Sequence, residues 1–239
     1  MKIAILSDLH SNYFALREVL SAAREEKINS IILLGDMFGY YPWSSETFHL
    51  LNSWAILLAI KGNHDLIVLE NDSEAQSKHL AYYMQARYNH EDLKRNCPEA
   101  LTWLAGLGLQ ATIAIDDVKI NICHGTPSDT ANGRFYPDDI KVYDWFPKAG
   151  ELLLMGHSHY PLLRSVPSAG IIFNPGSVGQ PRDGNPAASW GILSLDDLKF
   201  ELRRTPYDHA YTCKLLRDMN WDKRSIAALE KNYSGNLKF

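Results

Sequence analysis

The chain has 239 residues, a hydrophobic content of 46% and a formal net charge of -4 at pH 7. That is long for one domain but within reach of a single large α/β core, and the apolar fraction suits an ordinary soluble globule. Acids and bases are interleaved, so no basic face invites stable binding of nucleic acid or of an anionic membrane, and an anionic ligand must be held by something local.

In chain order, Met1 to Leu6 is too short an apolar run for a signal peptide. No stretch approaches the roughly 18 uninterrupted apolar residues of a membrane span, so the chain reads as cytoplasmic. Lys2 to Ser7 is a short β-rich run. Tyr13 to Lys27 carries Phe14, Leu16, Val19, Leu20 and Ala23 with charges between them, the spacing of an amphipathic helix. A strand at Ser30 to Leu34, a helix at Glu46 to Trp54 and a strand at Ala55 to Ile60 complete the βαβαβ rhythm of a parallel sheet. Residues 74–106 are rich in helix formers and read as a helical insertion beside or over the core, which could act as a cap.

From Leu109 onward the pattern turns to short β runs at Ala111 to Ile115, Val118 to Cys123, Leu152 to Met155, Ile171 to Asn174, Ser189 to Leu195 and Lys199 to Arg204. Tight turns at Asp116-Asp117 and Asp196-Asp197 imply antiparallel or mixed pairing. No repeat or linker divides the chain, so residues 1–239 read as a single domain. Cys97, Cys123 and Cys213 are odd in number and far apart, which indicates free thiols and neither a disulfide framework nor a thiolate metal site.

Polar residues interrupt this pattern at one kind of place. Asp8-Leu9-His10 follows the first strand, Gly35-Asp36 the second and Gly62-Asn63-His64-Asp65 the third. His124-Gly125 and Gly156-His157-Ser158-His159 follow two later strands. A turn explains the Gly and the Asn of Gly-Asn-His-Asp, but not a His wedged between an amide and a carboxylate. Ligands of α/β sheets gather beyond the carboxyl ends of strands, so the five interruptions should converge on one crevice. If those segments are extended, Asp8 and His10 point to one side, as do His157 and His159.

Carboxylate, imidazole and amide oxygen together suit Mn, Fe, Zn or Ni, with Mn the leading choice. Seven candidate ligands, Asp8, His10, Asp36, Asn63, His124, His157 and His159, exceed the demand of one ion, so two divalent ions are implied, with Asp36 the natural bridge. Two divalent cations less two carboxylates leave about two positive charges to attract phosphate. Such a pair makes hydroxide from bridging water near neutral pH and clamps an in-line displacement at phosphorus. His49, His79, His90 and His209 match no such block.

The five blocks, in this order, resemble the signature of the calcineurin-like metallophosphoesterase superfamily. The run Asn174-Pro175-Gly176-Ser177-Val178-Gly179-Gln180-Pro181-Arg182-Asp183 is similar to that of its small bacterial and archaeal predicted-phosphodiesterase branch. The resemblance spans Lys2 to about Arg204. It implies an α/β fold, a four-layer αββα sandwich with two mixed β-sheets. It implies that Asp8, His10, Asp36 and His159 hold one ion and that Asp36, Asn63, His124 and His157 hold the other. His64 would contact phosphate and protonate the leaving oxygen, with Asp65 orienting it.

Protein phosphatases of the superfamily place an Arg after the Gly-Asp block, where this chain continues Met37-Phe38-Gly39-Tyr40-Tyr41. Arg182 is the replacement that could grip phosphate, unless it forms a loop salt bridge with Asp183. Tyr40, Tyr41 and Trp43 either stack on a substrate ring or pack. The expected activity is in-line hydrolysis of small phosphodiesters or nucleotides by a metal-bridging hydroxide. Phosphomonoesters and dinucleoside polyphosphates are the alternative substrates, and a non-catalytic metal-binding scaffold of the same fold is the alternative class.

Overall fold

A computed structural model describes residues 1–70, 80–115, 118–165 and 169–233. The first sheet takes strands β1 (Lys2–Leu6), β2 (Ser30–Leu33), β3 (Ala55–Ala59), β9 (Ala188–Ser194) and β10 (Lys199–Thr205) in the order β10-β9-β1-β2-β3. β1, β2 and β3 run parallel, and β9 adds antiparallel to β1 with Ile3 opposite Leu193. The second sheet takes β4 (Gln110–Ile115), β5 (Val118–Cys123), β6 (Glu151–Leu154), β7 (Pro161–Ser165) and β8 (Ile171–Pro175) in the order β4-β5-β6-β8-β7. β5, β6 and β8 are parallel, while β4 and β7 pair antiparallel at the edges. Both sheets are therefore mixed. The turn at Asp196-Asp197 joins β9 to β10, whereas Asp116-Asp117 lies outside the described residues.

The alternation of side chains along a strand explains how two sheets become a sandwich. On β1, Ile3 and Ile5 point one way, into a cluster with Ile32, Leu34, Ile120, Ile122, Leu152, Leu154 and Phe173 that fills the space between the sheets. Ala4 and Leu6 point the other way, into a cluster with the helices. That outer layer holds α1 (Tyr13–Glu25), α2 (Ser44–Leu51), α3 (Asn63–Glu70), α4 (Leu80–Asn96) and α5 (Pro98–Gly106). α1 buries Leu16, Val19 and Leu20 on the stripe expected from its spacing, and Asn12 caps it by accepting from the Ala15 N–H at 3.2 Å.

Beyond the last strand, α6 (His209–Asp218) and α7 (Lys223–Tyr233) form a pair not anticipated from the sequence. Cys213, Leu216, Ile226 and Leu229 from this pair pack with Tyr41 and Trp43. The outer face of the second sheet is covered by a loop, whose Phe135, Tyr143, Trp145 and Phe146 close over Leu153, Met155, Leu162 and Ile172. The fold is the α/β sandwich of two mixed sheets that the resemblance implies, with loop as its outermost layer on that side. The three cysteines are buried free thiols, and among the described residues no helix is long and apolar enough to cross a membrane.

The expected helical insertion contains α4 and α5, which join the outer layer through Leu93, Cys97, Ala100 and Leu104; residues 74–79, and with them His79, lie outside the described residues. Within α4, Asn89 is fully buried and uses its whole amide. Its oxygen accepts from Ser11 Oγ at 2.6 Å and from the Gly39 N–H at 2.9 Å, and its nitrogen donates to the carbonyls of Tyr41 and Gln85 at 2.9 and 3.0 Å. Asn89 thus ties α4 to the loops after β1 and β2. Truncation to Ala strands several buried polar groups, each worth about 1–3 kcal/mol. Asn89→Ala is expected to lower the stability read from urea unfolding by about 3 kcal/mol, and a loss below about 1 kcal/mol would mean that the amide is not a structural tie.

Candidate metal centre and substrate pocket

The loops after β1, β2, β3, β5 and β6 meet at one end of the sandwich. They do so because the chain keeps making backbone bonds past the strand ends: Asp8 N donates to Gly35 O, His10 N to Asp36 O and Ser11 N to Met37 O, at 2.9 to 3.1 Å. These segments are not extended, as the spacing argument assumed. Asp8, His10, Asp36, His157 and His159 all have φ between 51° and 62°, the left-handed region that non-glycine residues avoid. Left-handed backbone, which continues from His10 into Ser11, brings the paired side chains into the crevice. Such strain persists only where surroundings over-determine it, and it concentrates at functional sites.

The Gly of Gly-Asn-His-Asp has a specific cause. A Cβ on Gly62 would overlap the Asp36 carboxylate and come within 2.7 Å of the Asp36 backbone nitrogen. The glycine lets the loop after β3 close on Asp36, and α3 then begins with Asn63, His64 and Asp65 in its first turn.

Each central carboxylate is divided between the fold and the crevice. Asp8 Oδ2 accepts from Ser7 Oγ at 2.6 Å and from the His157 N–H at 3.1 Å, while Oδ1 is buried with no hydrogen-bond partner among the described residues. Asp36 Oδ1 accepts from the His64 N–H at 2.8 Å, and its Oδ2 lies 3.2 Å from His124 Nε2 and 3.9 Å from His10 Nε2. The imidazoles follow the same logic. His124 Nδ1 lies 2.8 Å from the Leu34 carbonyl and His159 Nδ1 lies 2.6 Å from that of Gln180. A carbonyl only accepts, so each Nδ1 carries the hydrogen and each Nε2 faces the centre.

Asp8, His10 and His159 converge within 4.8 Å, as do Asp36, His124 and His157. Asn63 Oδ1 joins the second trio, 3.2 Å from His124 Nε2, and His10, Asp36 and His64 form a middle group. All seven expected ligands are brought to one place. The 3.1 Å between His10 Nε2 and His159 Nε2 matches the spacing of neighbouring ligands round one ion, about 3.0–3.4 Å for bonds near 2.1 Å. The buried, unpartnered Asp8 Oδ1 and His157 Nε2 are donors that fit a divalent metal. The nearest thiol is not one: burial pushes Cys123 up to about 12, so it stays protonated beside His124.

Protein groups alone set a divided electrostatic pattern. Burial favours neutral rings and lowers His64 and His157 to about 4, and it drives His10 well below its ordinary range. For His124 burial acts the same way, but Asp36 at 3.2 Å and Asp8 overcome it and raise the ring to about 10. Burial would raise Asp8 and Asp36, yet the imidazoles around them prevail and hold both below the usual carboxylate range. A proton on His124 therefore compensates the carboxylates where a cation would.

Asp65 is fully buried and accepts from the backbone N–H groups of Met37, Phe38 and Gly62 at 3.0 to 3.3 Å, so it holds the loops that carry Asp36 and His64. Burial and the Asp36 charge push it up to about 7 against those donors. Asn174 performs similar work for the histidine loop, donating to Gly156 O at 2.7 Å and to Ser158 Oγ at 3.1 Å.

Beside the centre opens a pocket of about 620 Å³ lined by Tyr40, Asn63, His157 and Arg182, and also by Arg134 and Arg224. Arg182 is not spent on Asp183, whose carboxylate pairs with Arg204; its guanidinium donates to Gln180 Oε1 at 3.1 Å and influences the Tyr40 phenol. Tyr41 and Trp43 are packing residues, whereas Tyr40 is half-buried at the pocket with its ring 4.5 Å from that of His64. Arg134 and Arg224 match no motif, so only the folded chain assigns them to this pocket.

The model of the calcineurin-like phosphoesterase superfamily domain matches residues 1–198. An uncharacterised protein of Methanocaldococcus jannaschii is 33% identical over 86% of this chain and 88% of its own length. The phosphodiesterase YfcE of Escherichia coli is 24% identical over 83% and 90%. The crystal structure of a metallophosphoesterase from Sphaerobacter thermophilus superposes with a TM-score of 0.78 at 27% identity, covering 97% of this chain and 99% of that one. The chain belongs to the calcineurin-like phosphoesterase superfamily.

Proposed function

We propose that the chain hydrolyses small phosphodiesters or nucleotides with two divalent transition-metal ions, Mn in the first place. The observation that carries this reading is the set of inward-facing donors, above all Asp8 Oδ1 and His157 Nε2, which are buried and make no hydrogen bond among the described residues, Asp8 Oδ1 facing His159 Nε2 at 3.2 Å. Likeness to a phosphodiesterase over most of both chains supports a diester substrate. Asp8, His10, Asp36 and His159 would hold one ion, and Asp36, Asn63, His124 and His157 the other. When bound, the pair would supply a hydroxide nucleophile near neutral pH and Lewis acidity toward the phosphoryl oxygens.

The protein's own work is positioning and proton transfer. Asp36 belongs both to the second trio and to the middle group with His10, and it keeps Oδ2 inward because the His64 N–H engages Oδ1. Arg182, at the pocket wall, offers a fork that matches phosphate oxygens. His64, buried among these groups, is placed to protonate the departing oxygen once the negative charge of a bound phosphate restores the proton that burial disfavours. The partner is a small phosphoester, and the buried free thiols support a reducing, cytoplasmic setting.

The raised His124 gives a pH dependence with a definite sign. Its proton is retained up to about 10 in the protein alone and must leave before Nε2 can donate to a metal. Metal affinity is expected to rise about tenfold per pH unit between pH 7 and 9, with saturation at two ions per chain by elemental analysis. A pH-independent affinity or one ion per chain would count against the assignment.

If His64 is the general acid, its importance scales with the basicity of the leaving oxygen. General-acid catalysis contributes about a hundred- to ten-thousand-fold. His64→Ala is expected to slow a nucleoside alkyl phosphodiester by an amount in that range and a p-nitrophenyl ester far less, with metal content unchanged. Equal slowing of both substrates would leave His64 a phosphate-binding residue only.

A further inference from the structure

We infer that the pocket beyond the metal centre holds a second phosphate group of the substrate, gripped by Arg134 and Arg224. Preferred substrates then carry a second phosphoryl group apart from the scissile one. The inference rests on the proposed function for the placement of the scissile phosphate and deepens it by naming the substrate class.

Three guanidiniums line the pocket, those of Arg134, Arg182 and Arg224, against one carboxylate, Asp222. That is a local surplus of positive charge in a chain whose formal net charge is -4. The carboxylate is already engaged: Asp222 Oδ2 accepts from the Ser225 N–H at 2.9 Å and from Ser225 Oγ at 3.1 Å, which caps α7. It does not neutralise the arginines through direct pairing. Arg182 stands beside Gln180 and Tyr40 at the inner wall and is the arginine assigned to the scissile phosphate. Arg134 and Arg224 are exposed and make no ion pair or hydrogen bond among the described residues. Like charges gathered round a single, already engaged acid and facing a concave space are arranged for an anion.

Both side chains stand on anchored backbone. Arg134 precedes Phe135, which is buried under the aromatic loop of the second sheet, and its charge reaches His157. Arg224 lies in the first turn of α7, outside residues 1–198 that the family model matches. The α6–α7 pair is nevertheless locked to the pocket wall. Trp221 Nε1 donates to Tyr40 O at 2.7 Å, Gln85 Nε2 donates to Ser225 Oγ at 2.8 Å, and Ile226 and Leu229 are buried with Tyr41. The α6–α7 pair therefore gives the pocket a wall carrying an unpaired guanidinium. A volume of about 620 Å³ accommodates more than one phosphate, since drug-sized ligands occupy about 300–1,000 Å³.

The test compares thymidine 3′,5′-bisphosphate with thymidine 5′-phosphate on the full chain. Calorimetric titration is one readout, and competition against hydrolysis of bis-p-nitrophenyl phosphate by the manganese-loaded protein is the other. The bisphosphate should bind at least about tenfold more tightly, and that ratio should fall below about threefold in Arg224→Ala and in Arg134→Ala, because two charge-assisted contacts are lost in turn. Arg224→Lys should retain part of the ratio. Lys223→Ala removes the same charge from the same helix turn outside the pocket, and it should keep the ratio whole. Equal affinity for the two ligands, or a preference that survives both arginine variants, overturns the inference. A preference for the bisphosphate in a protein that hydrolyses no phosphoester supports the inference while sinking the proposed activity.

Discussion

Two carboxylates carried out of water dominate this structure. Asp8 and Asp36 are buried at the junction of the sheets, where an isolated anion costs several kcal/mol or more in lost hydration. The fold answers with a division of labour on each group. One oxygen is tied to a neighbouring hydroxyl or N–H, which fixes orientation, and the other is left among imidazoles. The rings in turn are aimed by backbone carbonyls at Nδ1. Position is supplied by the polypeptide, and the missing positive charge is the reason a cation is wanted there.

That arrangement places unusual demands on backbone. Five of the converging residues, Asp8, His10, Asp36, His157 and His159, sit in the left-handed region, at a cost of order 1–3 kcal/mol each. The cost is spread into neighbouring elements. Ser177 Oγ donates to Asp8 O, Gly179 N reaches the same carbonyl, Asn174 holds the histidine loop, and Asn89 reaches in from α4. Residues with no chemical role in the reaction therefore matter to the geometry as much as the donors do.

Much of this was legible in the chain of letters, and for identifiable reasons. Apolar runs such as Ile3 to Leu6 and Ile31 to Leu34 are strands because nothing else buries such short segments on both faces, and Gly, Asp and His breaking them marked the strand ends. α3 was not legible: Asn63–Glu70 mixes donors with Leu66, Ile67, Val68 and Leu69, a run without helical alternation, and it is helical because β3 must turn back under Asp36. β7 opens on Pro161 and has the alternate exposure of an edge strand. α6 and α7 carry no motif, and their few apolar residues make sense only against Tyr41 and Trp43. Arg134 and Arg224 could not be read at all, since proximity across 89 intervening positions is a property of the folded chain.

The strand order of the first sheet also bears on how the protein is made. β1 is hydrogen-bonded to β2 on one side and to β9 on the other, so the first strand synthesised waits for residues 188–194 before its second edge is covered. The loops that pin Asp8, through Ser177 and Gly179, emerge just as late. Pairings of such sequence separation form slowly and leave strand edges exposed in the interim. On the ribosome, the nascent chain carries Asp8 and Asp36 as solvated side chains without a cage. The cage round these two carboxylates is accordingly complete only once residues 188–194 have paired with β1.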